Sequence, residues 1–557
     1  EAGGEDRDDF ERDQMAKGGA AGRKAQGKGV DQAASTTAEM ASKGATWEAE
    51  QVEIRDPEVV MRELQETLTQ LREQHALSQI EVEELADKLQ RTGASLLDGE
   101  EHMEGLSEQY TYYQEMRTYV NNLLDCLEDK VTQIDGWEDR LDNGLRRRGE
   151  ARRTRRLQDE RDETAEADAG CKGISLAYGG VAEAERQERA EKRSQRRAGA
   201  AAAGAKVGWS EVEVDGATSD EDDDEMSLWH ETRGSVVEEA RGLFEDTVEE
   251  YRSTQLVWRR FCAWKAKYPK AYRDAYVSLC LPKLFSVYVR LQMLGWQPLT
   301  EGGHVLDDQP WVSDLFEDDE MQTDDEAEQD ADAELIPTLV KNVVAPKLET
   351  SLTHEWNVYS SHSTKYAVAA VKETTIFLID AHPTAVSSLC GSVKSILLAT
   401  LSNYPMLDTF SPRDATTSPQ FLINRRRFHR LVKLCCNVCL WEGVISRPIL
   451  QSLVEQTASP RLASYILLLS LPGASLDALQ TVLDCFPSAW LESEGRPVKF
   501  LTPLADALHK IHGRFKAAAP PGKAAGDALR LAGRLSKTMR RIGSVKMAEQ
   551  VEREYRL

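Results

Sequence analysis

One apolar repeat near the N-terminus constrains the fold more than any other feature of the sequence. From Met61 to Leu89, large apolar side chains recur at alternating spacings of three and four, with Glu, Gln, Arg and Lys between them. This heptad spacing predicts a coiled-coil helix. Asp56 is expected to cap it, Pro57 to begin it and Gly93 to end it.

Two seam positions of this helix, His75 and Ser78, are polar. We interpret them as tolerated defects of the coiled coil rather than as a histidine switch or a metal site, because no second ligand lies nearby. A second amphipathic stretch, from Ser107 to Leu141, also keeps helical spacing and has aromatic residues at its start. The two helices together predict a helical hairpin or a hook on a partner.

The charge then reverses in a dense arginine run, and a second cluster covers 186–197. Such runs bind phosphate backbones or carry nuclear-import signals, since both uses need many donors and positive charge. The alternative is a solvated helix face with intervening Glu. The candidate nucleic-acid or import residues are Arg146, Arg147, Arg148, Arg152, Arg153, Arg155 and Arg156.

The overall charge limits what the whole chain can bind. Lys and Arg number 69 and Asp and Glu 94 in 557 residues, a net charge of −25, which argues against a chain that coats a polyanion along its length. Nine scattered cysteines indicate a reducing compartment. No apolar run approaches the ~20 residues that span a bilayer, so no membrane association is expected. The chain opens at Glu1, without Met or a secretory signal, which suggests an incomplete record.

A succession of apolar helical stretches with Pro or Gly between them predicts an all-α protein whose C-terminal helical array has no clean repeat period. Shifts in composition separate this array from N-terminal long helices and from disordered acidic and basic linkers. The one stretch that could be a strand is Thr374 to Leu378. The predicted segments are a mostly disordered tail with a short motif (1–55), the coiled coil (56–92), a second helical segment (93–144), a basic segment (145–205), an acidic linker (206–233), the helical domain (234–545) with an acidic insertion near 317–334, and a tail (546–557).

The densest aromatic cluster opens the helical domain. Its rings are interleaved with Lys and Arg, an arrangement that could stack on single-stranded bases, but the surrounding leucines favour burial in a helical core. Pro269 and Pro282 are expected to mark helix boundaries. The cluster consists of Trp258, Phe261, Trp264, Tyr268, Tyr272 and Tyr276.

No local signature of an enzyme is present: the sequence lacks the phosphate loop, the dinucleotide fingerprint, the nucleophile elbow and the zincin motif. Cys435, Cys436 and Cys439, with His429, are the best metal candidate. Their apolar surroundings favour core cysteines instead, because closed zinc sites use two short-spaced ligand pairs. We therefore expect no cofactor, no metal and no catalysis.

Several of these stretches resemble the C-terminal domain and flanking regions of the GC-rich sequence DNA-binding factor family. In the helical domain the likeness lies in Trp264-Lys265, Tyr268 and the run from Tyr272 to Phe285, and it extends to 335–338 and 485–490. Upstream it lies in a central helix and an N-terminal segment. The resemblance makes these residues candidates for partner binding: Phe10, Glu11, Gln14 and Lys17, and Tyr113, Met116, Arg117 and Tyr119.

The resemblance implies a nuclear, non-enzymatic scaffold of the late spliceosome. It would act beside the G-patch tuftelin-interacting protein, a DEAH-box helicase and other spliceosomal proteins when the intron lariat is released, with a possible RNA contact through the arginine run. A second hypothesis is a transcription cofactor that bridges DNA-bound factors to chromatin machinery. A third is an enzyme whose site is assembled from distant residues.

Overall fold

A computed structural model describes residues 56–172, 181–202, 223–303, 305–316, 332–405, 418–469, 471–491, 498–520 and 526–556. The described residues form helices and their connections, and the one β contact among them is an isolated bridge between Glu442 and Ile445. The predicted all-α class is confirmed. The N-terminal tail with its candidate motif, most of the acidic linker and nearly all of the acidic insertion lie outside these residues.

Proline begins many of the helices, because its missing N–H would be unpaired in the first turn anyway. Two single π-helical turns, Val340–Val344 and Val454–Ala458, interrupt longer helices shortly before Pro346 and Pro460. The helices are α1 (Pro57–Lys172), α2 (Val181–Ala202), α3 (Asp223–Arg241), α4 (Thr254–Lys267), α5 (Pro269–Asp274), α6 (Val277–Gln292), α7 (Pro310–Phe316), α8 (Leu335–Leu339), α9 (Ala345–His354), α10 (Ser361–Leu378), α11 (Pro383–Ser402), α12 (Pro419–Cys439), α13 (Arg447–Leu453), α14 (Ser459–Leu468), α15 (Pro472–Asp484), α16 (Ser488–Leu491), α17 (Thr502–Ala518), α18 (Asp527–Arg541) and α19 (Val545–Tyr555).

The predicted end of the first helix at Gly93 is wrong, and so is the predicted hairpin. Helix α1 continues from Pro57 to Lys172 through Gly93, Gly99 and Gly105. A glycine inside a helix costs only about 1 kcal/mol relative to alanine, and the helix formers on either side of each glycine outweigh that cost.

The chain divides into two compact units, 1–113 and 114–557. The described part of the first unit is the beginning of α1. The second unit contains two hydrophobic cores. We call them the N-terminal core, built by the middle of α1 with α3, α4, α6, α7 and α8, and the C-terminal core, built from α9 to α19.

Two sequence predictions within the second unit are wrong. Thr374 to Leu378 is the end of α10 rather than a strand, because this segment continues the helical face on which Ala367, Val371 and Leu378 are buried. Pro282 lies inside α6 rather than at a boundary. It removes one backbone hydrogen bond near the start of α6, and α6 also buries several large side chains in the N-terminal core.

Two described segments, Val277–Gly295 and Pro383–Ser402, are long and apolar enough to cross a membrane by length and composition alone. Core helices of soluble proteins pass the same test. The first segment is largely buried in the N-terminal core, and α11 buries Leu389, Val393 and Leu397 along one face. Packing in the N-terminal core accounts for the first segment, whereas 22% of Pro383–Ser402 is buried.

Candidate functional site on the long helix

The arginine run of α1 lies against the C-terminal end of α9. Arg152 Nη2 donates to the carbonyl oxygen of His354 at 2.7 Å, and Arg153 Nη2 donates to that of Thr353 at 2.6 Å. Both carbonyls belong to the last turn of α9, where no N–H of the same helix remains to bind them. Cations at this end also interact favourably with the helix dipole. The two arginines therefore cap α9.

Arg156 holds the segment that follows α9. Its Nη2 donates to Asn357 Oδ1 at 2.9 Å, and its guanidinium carbon lies 4.4 Å from the centroid of the Tyr359 ring. A guanidinium group stacked on an aromatic face at this distance gains cation–π attraction. Arg156 therefore fixes the connection between α9 and α10 to α1.

Two more arginines of the run form ion pairs within the chain. Arg155 Nη1 lies 2.7 Å from Glu225 Oε2 of α3, and Arg148 Nη1 lies 4.0 Å from Glu355 Oε1. The run thus contacts α3 as well as the end of α9. Neither a uniform nucleic-acid surface nor a solvated helix face describes these residues.

Two glycines allow α1 to approach its neighbours this closely. A Cβ atom on Gly149 would lie 2.5 Å from the carbonyl oxygen of His354, and one on Gly144 would lie 2.7 Å from the ring of Trp229. The first contact is with backbone, which cannot move aside as a flexible side chain would. Glycine at these two positions is therefore what lets α1 pack on α9 and α3.

Three arginines of the run, Arg146, Arg147 and Arg153, are exposed. Arg153 also donates to the Thr353 carbonyl, whereas the contacts described above do not involve Arg146 or Arg147. The sequence alone suggested that all seven residues form one basic surface. Arg146 and Arg147 are therefore the first residues of the run to test for contact with a phosphate backbone.

An acidic segment of α1, residues 159–166, follows the arginine run and contacts α2; we call it the acidic turn. Arg193 of α2 is buried, with Nη1 2.7 Å from Asp159 Oδ1 and Nη2 3.6 Å from Glu166 Oε1. Arg189 Nε lies 2.9 Å from Asp162 Oδ2. The carboxylates around this buried arginine compensate the cost of removing its charge from water. The second arginine cluster of the sequence is therefore partly engaged within the chain.

The same acidic turn also meets α12. Arg427 Nη2 donates to Thr164 Oγ1 at 2.7 Å, and its Nε lies 3.6 Å from Glu160 Oε1. Burial raises the pKa of Glu160, against the opposing effect of Arg430 and Arg427. This turn of α1 thus connects α2 to the C-terminal core through paired charges.

A buried amine lies beside the arginine run. Lys347 of α9 lines a cavity of about 200 Å³, and its Nζ lies 4.0 Å from Glu138 Oε1 of α1. The same carboxylate accepts a hydrogen bond from Arg290 Nη2 at 2.6 Å. Burial lowers the pKa of Lys347 to about 8, although Glu138 and Asp142 favour its charged form.

The candidate partner-binding residues of the central helix separate into two groups. Met116 and Tyr119 are buried in the N-terminal core, where the Tyr119 ring lies 5.1 Å from that of Tyr251. Tyr113 is half-buried and its hydroxyl accepts a hydrogen bond from Gln109, while Arg117 is exposed. Burial therefore gives Met116 and Tyr119 a packing role, and the surface of α1 here offers Arg117 to a partner.

The aromatic cluster belongs to the N-terminal core, as its leucine-rich surroundings predicted. Trp258, Phe261 and Tyr272 are buried, and the Trp258 ring meets that of Phe285 edge to face at 5.9 Å. These faces are not available for base stacking. Tyr276 is the exception: it is exposed and has a left-handed backbone, with φ at 52°.

The cysteines of α12 also belong to a core. Cys435 and Cys439 are buried in the C-terminal core, and burial raises the pKa of Cys435. Cys485 lies beside these cysteines although it is distant from them in sequence, so local spacing does not reveal it. Its thiol donates a hydrogen bond to the carbonyl oxygen of Val432 at 3.5 Å. Within the described ranges, no three His, Cys, Asp or Glu residues are grouped so that they could hold a metal ion.

Residues 255–361, from α4 through α9, match the family of GC-rich sequence DNA-binding factor-like proteins. The chain carries a domain of this family. The resemblance inferred from the sequence is thereby confirmed. The family domain contains α9, and hence both the carbonyls that the arginine run caps and Lys347.

Relatives match beyond that domain. The chain is 28% identical over 486 residues to “PAX3- and PAX7-binding protein 1” of Homo sapiens, covering 81% of this chain and 51% of that protein. It is 26% identical over 452 residues to “Intron Large complex component GCFC2” of Mus musculus, covering 78% and 58%. It is 34% identical over 197 residues to “Transcriptional repressor ILP1” of Arabidopsis thaliana, covering 35% and 21%. The chain spans about half the length of the first two relatives.

We predict that Gly149→Ala lowers the free energy of unfolding by about 1–3 kcal/mol, the usual range for overpacking, because the new methyl group would meet the backbone of α9. The matched control is Gly136→Ala on the same helix, where a Cβ meets nothing within 4 Å. That change is expected to raise the free energy of unfolding by about 0.5–1 kcal/mol. Urea unfolding measures both. Equal effects of the two substitutions would contradict the close approach.

The buried amine predicts a pH dependence. Because the pKa of Lys347 is about 8 in the folded chain, against an ordinary value of 10.5, the unfolded chain binds more protons between these values, and stability rises with pH there. Lys347→Met should remove this rise and stabilise the protein at pH 7 by on the order of 1–3 kcal/mol. The control is Lys341→Met at an exposed site. An unchanged stability-against-pH profile for Lys347→Met would refute the burial.

Proposed function

We propose that the chain is a non-enzymatic nuclear scaffold of the late, intron-lariat spliceosome. It would act with a G-patch protein and a DEAH-box helicase, which supplies the ATP chemistry when the lariat is released. The observation that carries this proposal is the extent of the likeness to an intron large complex component, which covers 78% of this chain. The relatives indicate a nuclear role related to splicing or to transcription.

The architecture of the described residues suits a scaffold. A helix of 116 residues offers a long surface, and the second unit adds two cores whose helices present many separate faces. In such an assembly each surface adds a modest contact, and the first contact raises the effective concentration of the next. The aromatic rings and cysteines of the candidate motifs lie mainly in packing roles, which agrees with a protein that binds rather than catalyses.

A second candidate function is a transcription cofactor that bridges DNA-bound factors to chromatin machinery. Two observations favour it: one relative is named for binding PAX3 and PAX7, and another is named a transcriptional repressor. The likeness to the repressor covers only 35% of this chain. The likeness to the PAX-binding protein covers 81%, so coverage does not rank the two functions. We place the cofactor second because a chain with a net charge of −25 and no helix-turn-helix, zinc-finger or basic-zipper signature in its sequence has no evident reader of a DNA groove.

The test is affinity purification of the tagged chain from nuclear extract, with mass spectrometry of the proteins and sequencing of the RNA. We expect the G-patch protein, the DEAH-box helicase and excised lariat introns to be recovered. Recovery of chromatin factors and promoter DNA without spliceosomal RNA would contradict the scaffold function and support the cofactor.

The same purification tests the RNA contact of the arginine run. Arg146→Ala with Arg147→Ala should reduce RNA recovery and lower the salt dependence of binding, because each phosphate contact contributes about 0.9 to the slope on duplex nucleic acid and about 0.7 on single strands. The control is Lys88→Ala with Arg91→Ala, which removes the same charge from α1. Equal losses in both variants would exclude a specific contact. Variants of Arg152 and Arg153 do not suit this test, since they also remove the cap of α9.

A further inference from the structure

We propose that the first unit pairs with a second copy of this chain as a parallel, in-register, two-stranded coiled coil. Because α1 is continuous through Gly93, the apolar repeat continues in the same phase beyond it, and two stretches that looked separate form one seam. The seam positions are Met61, Leu64, Leu68, Leu71, His75, Ser78, Val82, Leu85, Leu89, Thr92, Leu96, Gly99, Met103, Leu106, Tyr110 and Tyr113.

The large apolar side chains of this seam are exposed in the single chain. From Met61 to Tyr110 they are between 48% and 72% exposed. The described residues of the first unit consist almost entirely of this helix, so no other described element of that unit covers them. The seam is about 80 Å long at 1.5 Å per residue. A helix of this length gains its stability in water from packing such a face, which requires a partner.

The width of the seam suits two strands. Its large apolar residues follow the a and d positions of the heptad, while the flanking e and g positions are mostly polar or small. The continuous apolar stripe follows a and d, as in the narrow seam of a coiled coil, and the exposed Leu77, Ile80 and Leu97 lie off it as isolated positions. The strict seven-residue repeat also implies a left-handed supercoil.

The polar and small seam positions favour a second copy in parallel register. His75, Ser78, Thr92 and Gly99 interrupt the apolar series, and in an in-register parallel pair each meets its own counterpart. In the fully overlapped antiparallel pair, Ser78 would face Leu96 and Thr92 would face Val82. Polar seam residues are known to set register at some cost in stability. His75 would face Gly99 in that antiparallel pair, so Ser78 and Thr92 are the positions that favour the parallel register.

The flanking residues are compatible with this register. In a parallel pair, each g position faces the e position five residues later on the other strand. None of these facing pairs brings like charges together, so nothing in the flanks opposes pairing with an identical helix. The pairs within the first unit are Val60 with Gln65, Thr67 with Arg72, Gln74 with Gln79, Glu81 with Ala86, Lys88 with Gly93, Ser95 with Glu100, and His102 with Ser107.

Sedimentation equilibrium of the full chain tests the pairing. We expect a mass twice the 62.3 kDa of one chain. Leu71→Glu with Leu85→Glu, at exposed seam positions, should give the single-chain mass. The matched control is Leu77→Glu with Ile80→Glu, at equally exposed positions off the seam, which should remain dimeric. A single-chain or trimeric mass for the native chain, or equal effects of the two variants, would overturn the proposal.

A cysteine variant tests the orientation. Leu64→Cys places one thiol near the start of the seam, where two parallel in-register strands bring the Cα atoms within the roughly 7 Å that a disulfide tolerates. Mild oxidation should therefore produce a linked dimer on a non-reducing gel that the native chain does not give. In the antiparallel pair residue 64 faces Tyr110, and no link forms. A dimeric mass without this link would overturn the parallel register.

Discussion

The second unit depends on the contact between α1 and the C-terminal end of α9. Gly149 brings the two backbones together, and Arg152 and Arg153 then donate to the carbonyls that end α9. Helix α9 contributes Leu348 and Leu352 to the C-terminal core, while Ala345 at its start belongs to the N-terminal core. By fixing α9, the arginine run of α1 fixes an element that contributes to both cores.

This contact changes how an acidic chain with local arginine clusters is understood. Five of the seven arginines in the run, and Arg189 and Arg193 of α2, contact carbonyls or carboxylates of the chain itself. The carboxylates compensate the charge of the arginines that they face, whereas the carbonyls orient Arg152 and Arg153 without neutralising them. Density of arginine in a sequence is therefore a weak guide to nucleic-acid binding when the helix that carries it is packed on two sides.

The helical class could be predicted from the sequence because apolar residues at spacings of three and four recur along most of the chain. The burial of most of the aromatic cluster could also be predicted, because leucines and aromatic residues at this density favour a packed helical core. The sequence does not reveal the continuity of α1, because Gly93 is typical of a helix end. A glycine there costs about 1 kcal/mol, which is too little to end a helix that good helix formers continue on both sides.

The partners of the arginine run could not be predicted, because they are mainly backbone carbonyls and side chains distant in sequence. Carbonyl acceptors exist at every residue and leave no pattern. Gly144 and Gly149 flank the first arginines of a strongly helical segment, and glycine permits a neighbour to approach closely. Gly136 on the same helix has no such neighbour within 4 Å, so the glycines alone do not locate the contact. The cavity beside Lys347 left no comparable signal, because its lining comes from several helices.

Hydrogen exchange of the full chain, followed by mass spectrometry, tests most directly whether the arginine run is built into the fold. Amides are protected when their segment opens only with the surrounding core. The account predicts that peptides covering 145–157 and 350–360 exchange together and as slowly as peptides from α10 and α14. Rapid exchange at 350–360, as in a frayed helix end beside a solvated arginine helix, would contradict it.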